Sequence, residues 1–247
     1  MGQRRGEAAR LDEELYRWPG GVVLADRPGV FPVGTDAVLL ADFTALRPHE
    51  RLCDLGCGSG VLLLLLLARR PDACGVGVDR LPAAAELARE NVARNGMTDR
   101  ATVLEGDFRA LSDVLEAGSF DLVVANPPYF PAGSGAVPPE RERAEARTED
   151  ATLDELCQAA ARLLRWGGRF TLCHRPERLA DVLCALREHG MEPKRLRWVQ
   201  HRTGSAPSLV LAEAYRGGKP GLRTMPPLIL TNPDGTESAE VRRLYER

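Results

Sequence analysis

The sequence lacks an apolar run long enough to span a bilayer. The longest, Val61 to Ala68 with six consecutive leucines, is far shorter than the roughly 20 residues a membrane helix needs, and reads as a buried helix. The first ten residues are basic and polar, without the apolar stretch of a secretory signal. A cytoplasmic protein with no membrane partner is expected. No CxxC pair occurs among the six cysteines (Cys53, Cys57, Cys74, Cys157, Cys173, Cys184). Most of them sit in apolar segments, where a reduced thiol behaves as a small hydrophobe. Neither a disulfide framework nor a zinc site is expected, and the four histidines (His49, His174, His189, His201) form no ligand spacing, so no metal is assigned. His174, at a strand end, is read as structural. Aromatics make up only 5%, and Trp18, Trp166 and Trp198 are too dispersed for a base-stacking platform, so they are assigned to packing.

An excess of positive charge is missing too. The formal net charge is −2, which offers no global case for a nucleic-acid partner. Locally the picture differs: residues 187–223 carry eight Lys or Arg (Arg187, Lys194, Arg195, Arg197, Arg202, Arg216, Lys219, Arg223) against three Glu. That stretch reads either as a phosphate-facing patch or as a solvated helix end and exposed hairpin.

What is present is an ordinary globular composition, 44% hydrophobic and 28% charged over 247 residues, enough for one large α/β domain with a small appendage. From Arg51 onward, β-like runs (51–55, 74–79, 101–105, 120–125, 169–174) alternate with helical segments (60–69, 82–95, 153–165, 176–189). This pattern predicts βαβ units and a mostly parallel sheet. Thr152 with Glu155 makes a capping box, and Pro82 and Pro176 suit first-turn positions. Asn95-Gly96, Gly167-Gly168 and Gly190 stand where helices should stop. After Gly190 two strands, 195–201 and 208–215, follow without a helix between them. The fold class is therefore α/β, a doubly wound, mostly parallel seven-stranded sheet ending in a C-terminal antiparallel hairpin.

Three segments divide the chain: 1–50 as an N-terminal extension closing over the site, 51–216 as the main domain, and 217–247 as a tail of irregular chain. In the extension, residues 16–24 suit a small strand and Thr35 suits the cap of a helix from Asp36 to about Ala45. Residues 130–150 are rich in Pro, Gly, Glu and Arg without apolar periodicity, and read as a mobile loop.

The chemistry is concentrated where strands end. Asp54-Leu55-Gly56-Cys57-Gly58-Ser59-Gly60 follows the first core strand and opens a helix. Its glycines let the backbone turn tightly against a ligand. The dinucleotide fingerprint is G-x-G-x-x-G; here the spacing is G-x-G-x-G behind an acidic residue, which repels a pyrophosphate and welcomes the positive amino group of a methionine moiety. The cofactor this favours is S-adenosylmethionine. Asp79, 19 residues after the last glycine, ends the second strand, where a carboxylate can accept from both ribose hydroxyls. Asp107 after the third strand can accept from the adenine amino group while Phe108 packs against the ring. These residues resemble the class I S-adenosylmethionine-dependent methyltransferases, in which the corresponding loop and acids hold the cofactor and the sheet ends in an antiparallel hairpin.

Asn126-Pro127-Pro128-Tyr129 follows the fourth strand. An exocyclic amine is a poor nucleophile because its lone pair is delocalised into the ring. The Asn126 side-chain oxygen and the Pro127 carbonyl can each accept one amino hydrogen, drawing the nitrogen toward tetrahedral geometry. Tyr129 offers a flat face for stacking, and Pro128 and Phe130 flank it as substrate contacts. The tetrapeptide specifies an amino group, not its owner: adenine N6, guanine N2 and glutamine amides are all known targets. Residues 31–41, then Ala146-Arg147-Thr148-Glu149, Trp166-Gly167-Gly168-Arg169, residues 174–179 and Pro226-Pro227-Leu228-Ile229-Leu230 are similar to the bacterial tRNA1(Val) adenine-37 N6-methyltransferase family. The resemblance spans nearly the whole chain. It implies that Thr35 and Asp36 close over the methionine end of the cofactor. It also implies that Arg147 and the basic stretch with Lys194, Arg195, Arg197 and Arg202 hold tRNA. A monomer or weak homodimer is expected.

Two other readings share the observations. A protein glutamine N5-methyltransferase would bring a dedicated helical N-terminal domain, for which the roughly 50 residues before the first core strand are too few. A non-catalytic binder of S-adenosylmethionine or RNA would have no need of the intact Asp54, Asp79, Asp107 and Asn126 set.

Overall fold

The computed structural model describes residues 14–27, 30, 34–127 and 153–245. An antiparallel pair, β1 (Glu14–Arg17) and β2 (Val23–Asp26), precedes α1 (Thr35–Phe43). Then come β3 (Arg51–Leu55), α2 (Val61–Ala68), β4 (Cys74–Asp79), α3 (Pro82–Arg94), β5 (Ala101–Glu105) and β6 (Phe120–Ala125). After the undescribed residues follow α4 (Leu153–Leu163), β7 (Leu164–His174), α5 (Leu179–Glu188), β8 (Met191–Gln200) and β9 (Pro207–Arg216). Seven strands stand in the order β8-β9-β7-β6-β3-β4-β5, and two short strands of the tail beside β8 make the sheet nine-stranded where seven were expected. β3 to β7 are parallel, and β9 runs antiparallel between β7 and β8. The order reverses at β3 and β6, which opens a crevice at their carboxyl ends, the usual ligand position of such sheets.

Helices cover both faces. The leucine run of α2 is buried on every side, because glycines on β4 let the helix approach: a Cβ at Gly75 would stand 2.7 Å from Leu63 Cδ1, and one at Gly77 3.3 Å from Leu63 Cδ2. The opposite face packs α4 and α5 on Phe120, Phe170 and Leu172. No helix among the described residues is long and apolar enough to cross a membrane. No cluster of three or more His, Cys, Asp or Glu among them could hold a metal.

Several local expectations are corrected. Residues 16–24 form parts of two strands, with a 3-10 turn at Pro19–Gly21 between them. The N-cap of α1 is Gly34, and Thr35 is the first helical residue with no capping side chain. Gly167 and Gly168 do not stop a helix. The chain passes from Leu163 directly into β7, and the pairing with β6 shifts register between Phe120 and Leu122. At this irregularity Gly168 lies so close to the Arg165 carbonyl that a Cβ would sit 2.8 Å from it. Helix 176–189 starts as a 3-10 turn, Pro176–Arg178. Thr152 lies outside the described residues, so its capping box does too. The tail is ordered: β10 (Arg223–Thr224) and β11 (Leu228–Ile229) run parallel to β8, and α6 (Ala239–Tyr245) follows. Leu228, Val241 and Leu244 join the core over α1 and α2. Apolar burial, invisible in a Pro-rich stretch, is what orders it. Trp166, assigned to packing, is 76% exposed.

Candidate active site

The glycine loop between β3 and α2 bends through three left-handed residues, Gly56, Gly58 and Gly60, with φ of 74°, 55° and 82°. A side chain in that region costs about 1–2 kcal/mol. A Cβ at Gly56 or Gly58 would meet open space, whereas one at Gly60 would come within 3.3 Å of Ala88 on α3. The first two glycines thus leave room for a ligand and the third lets a helix approach. The loop hangs on β4, since the N–H groups of Gly56 and Cys57 both donate to the Val78 carbonyl at 2.9 Å.

Two buried carboxylates flank this loop. Asp54, at 1% exposure, accepts from the Leu63 N–H at 3.1 Å. Burial pushes its pKa up to about 7, with a further push from the Asp79 charge against the pull of that hydrogen bond. Asp79 accepts from Gly58 N–H at 2.8 Å and from Leu81 N–H at 2.9 Å, and burial raises its pKa as well. Buried carboxylates in water-poor surroundings call for donors, and a cofactor bearing an ammonium group and a ribose diol supplies them. With the free space at Gly56 and Gly58, the residues fit S-adenosylmethionine. Asp107 is placed one strand farther, where Arg109 holds both its oxygens, including Nε at 2.9 Å to each. That guanidinium holds the Asp107 carboxyl below the usual range, and also stands 3.5 Å from Glu155. Phe108 begins the 3-10 turn beside it.

On the other side of the crevice, Asn126 and Pro127 leave β6. The pairing of Ala125 with Leu172 sets Asn126 beside Cys173, whose buried Sγ lies 3.0 Å from the Asn126 Oδ1. His174 accepts the Arg175 N–H at its Nδ1, 2.8 Å away; burial, then the Arg178 charge, lower its pKa. Asp36, in the first turn of α1, has its pKa raised by burial against the opposing Arg175 charge, so α1 begins at the same end of the sheet. Pro128, Tyr129, Phe130 and Arg147 lie outside the described residues.

A methyltransferase-domain family model matches residues 46–220. A tRNA1(Val) (adenine(37)-N6)-methyltransferase of Porphyromonas gingivalis is 33% identical over 224 residues, covering 87% of each chain. One of Bacteroides thetaiotaomicron is 36% identical over 182 residues, 72% of this chain and 74% of the relative. The chain belongs to the tRNA1(Val) (adenine(37)-N6)-methyltransferase family. Its fold recurs in a predicted O-methyltransferase of Agrobacterium tumefaciens, with TM-score 0.71 and 24% identity over 85% of this chain and 95% of that one. It recurs also in a geranyl diphosphate methyltransferase solved with S-adenosylmethionine, with TM-score 0.56 and 17% identity over 74% and 84%.

In this methyltransferase the basic stretch is less free than its composition implies. Arg195 forms a bidentate pair with Glu213 at 2.8 and 3.1 Å, donates to the Phe43 carbonyl and lies 4.5 Å over the Phe43 ring. Arg197 pairs with Glu240 at 2.7 and 2.9 Å and donates to the Pro226 carbonyl. These two arginines hold the sheet edge together instead of lining a free basic face. Lys194 donates to the Lys219 carbonyl, and Arg202 is exposed in the β8–β9 turn. Cys173, Arg109 and Asn91 escaped the sequence reading. For Asn91 a signal existed: it falls four and three residues after Leu87 and Ala88, on the buried face of α3.

Proposed function

We propose that this enzyme methylates the exocyclic N6 of an adenine in tRNA, at the position-37 site of tRNA1(Val) that its curated relatives are named for. The observation that carries the reading is Asn126-Pro127 at the end of β6, across the crevice from the glycine loop and its two buried acids. S-adenosylmethionine, when bound, supplies an electrophilic methyl group. Asn126 Oδ1 and the Pro127 carbonyl accept the two amino hydrogens, which aims the nitrogen lone pair at the methyl carbon. Tyr129 stacks the base, a contact worth roughly 1–3 kcal/mol. Alignment lowers the barrier without a covalent enzyme intermediate, and the surplus proton leaves once the nitrogen is cationic. Thr35 and Asp36 close the methionine end, and Lys194, Arg202 and Arg147 meet the phosphate backbone.

The test is transfer of labelled methyl from S-adenosylmethionine to unmodified total tRNA and, separately, to total protein, followed by nucleoside analysis. Label in N6-methyladenosine is expected. Label in protein, as from a glutamine enzyme, or in neither pool, as from a binder, overturns the proposal.

A further inference from the structure

One of the outside supports of the glycine loop comes from α3. Asn91 is fully buried and its amide stands in for a strand edge: Oδ1 accepts the Ala25 N–H at 2.8 Å and Nδ2 donates to the Ala25 carbonyl at 3.2 Å. The same Nδ2 donates to the carbonyl of Ser59, inside the glycine loop, at 3.0 Å. One turn later Asn95 repeats the first half, accepting from Val23 N–H at 2.9 Å and donating to the Val23 carbonyl at 2.8 Å, while its Nδ2 also donates within α3 to the Asn91 carbonyl at 2.7 Å. Asn95 therefore holds β2, whereas Asn91 holds β2 and the cofactor loop together.

We infer that Asn91 is a positioning residue coupling the docking of strand β2 to the shape of the glycine loop. The inference rests on the reading of residues 56–60 as the S-adenosylmethionine loop. Ser59 is 2% exposed and lies between Gly58, given to Asp79, and Gly60, seated on Ala88. Its carbonyl is held from α3 by the Asn91 Nδ2 at 3.0 Å. An Asn91 amide satisfied at Ala25 is already oriented for Ser59, and the reverse holds. A buried amide left half-satisfied is costly, so the two attachments stand or fall as a unit. By linkage, a ligand that selects this loop shape strengthens β2 docking to the degree that docking strengthens ligand binding. β2 leads in sequence to Thr35 and Asp36, so the coupling ties the N-terminal segment to cofactor occupancy.

Hydrogen exchange of the wild-type protein with and without saturating S-adenosylhomocysteine tests this directly. The Val23 and Ala25 amides should exchange about tenfold more slowly with ligand, within the usual range of coupling between sites. Calorimetry on two variants separates the roles. Asn91→Leu should weaken S-adenosylhomocysteine about tenfold, whereas Asn95→Leu should speed β2 exchange yet change affinity less than about threefold. Equal losses in both variants assign the effect to strand docking alone and overturn the inference. Unchanged β2 exchange in ligand-saturated wild type overturns it even where Asn91→Leu fails to fold. Wild type that binds no S-adenosylhomocysteine overturns the cofactor reading itself, an outcome distinct from binding without a β2 response.

Discussion

Asp54 is buried and accepts a hydrogen bond from the Leu63 N–H, so its ionisation is costly in the folded protein. Burial lifts its pKa from near 3.8 to about 7, so the folded apo-enzyme retains a proton that the unfolded chain releases. The stabilisation from that proton is complete below about pH 3.8 and is lost as pH rises through about 7. The unfolding free energy of the wild type should therefore fall relative to that of Asp54→Asn from pH 4 to 7 in chemical denaturation series. A cationic amino group favours the ionised form, so S-adenosylhomocysteine affinity should rise with pH up to about 7 and level off, a slope that Asp54→Asn loses. Affinity independent of pH in the wild type, by calorimetry, speaks against Asp54 facing the ammonium. On the other wall, Asn126→Ala should keep S-adenosylhomocysteine binding and reduce turnover by at least about 100-fold, the scale of losing a positioned hydrogen bond at a reacting centre. Normal methylation by that variant would sink the alignment mechanism. The position of Asp54, Asp79, Asp107 and Asn126 at one rim could be read from the chain because each lies at or just past the end of a β-like run, and chain order puts the ends of parallel strands together. Arg109 on Asp107 and Cys173 beside Asn126 were not, because contacts across strands and turns depend on register.

Elements differ in how far their sequence defines them. The glycine loop was plain, and Gly58→Ala is expected to weaken S-adenosylhomocysteine binding while costing only about 1–2 kcal/mol of stability, since the added Cβ meets open space at an unfavourable φ. Calorimetry and a denaturant titration read the two effects separately; a large stability loss with intact binding reverses the assignment. β7 was less plain: its two glycines read as a helix stop, and only pairing with β6 makes them an irregularity inside a strand. β7 also carries Arg169, at 2% exposure, paired with Glu50 and 3.8 Å from Glu213. Arg169→Met leaves both carboxylates buried without that partner, so a loss of about 3–5 kcal/mol is expected in urea unfolding. A loss under about 1 kcal/mol would mean that Arg195 alone neutralises Glu213.

For the whole molecule, the tail matters as much as any helix of the core. Leu244 is 2% exposed and Val241 5%, and α6 packs on α1 and β11. Leu244→Ala should lower stability by about 2–5 kcal/mol, visible as a drop in thermal midpoint; an unchanged midpoint would show that the tail docks without contributing. The amino-acid pattern alone determined the alternation of strands and helices, the glycine loop and the acids at strand ends, because these are local rules of periodicity and turn chemistry. Tertiary structure alone decided which charges are free. Arg195 and Arg197 look like part of a basic patch in the chain, but the sheet edge brings Glu213 from the neighbouring strand and Glu240 from α6 within hydrogen-bond reach. An ion pair depends on distance in space, and only the packed fold sets that distance.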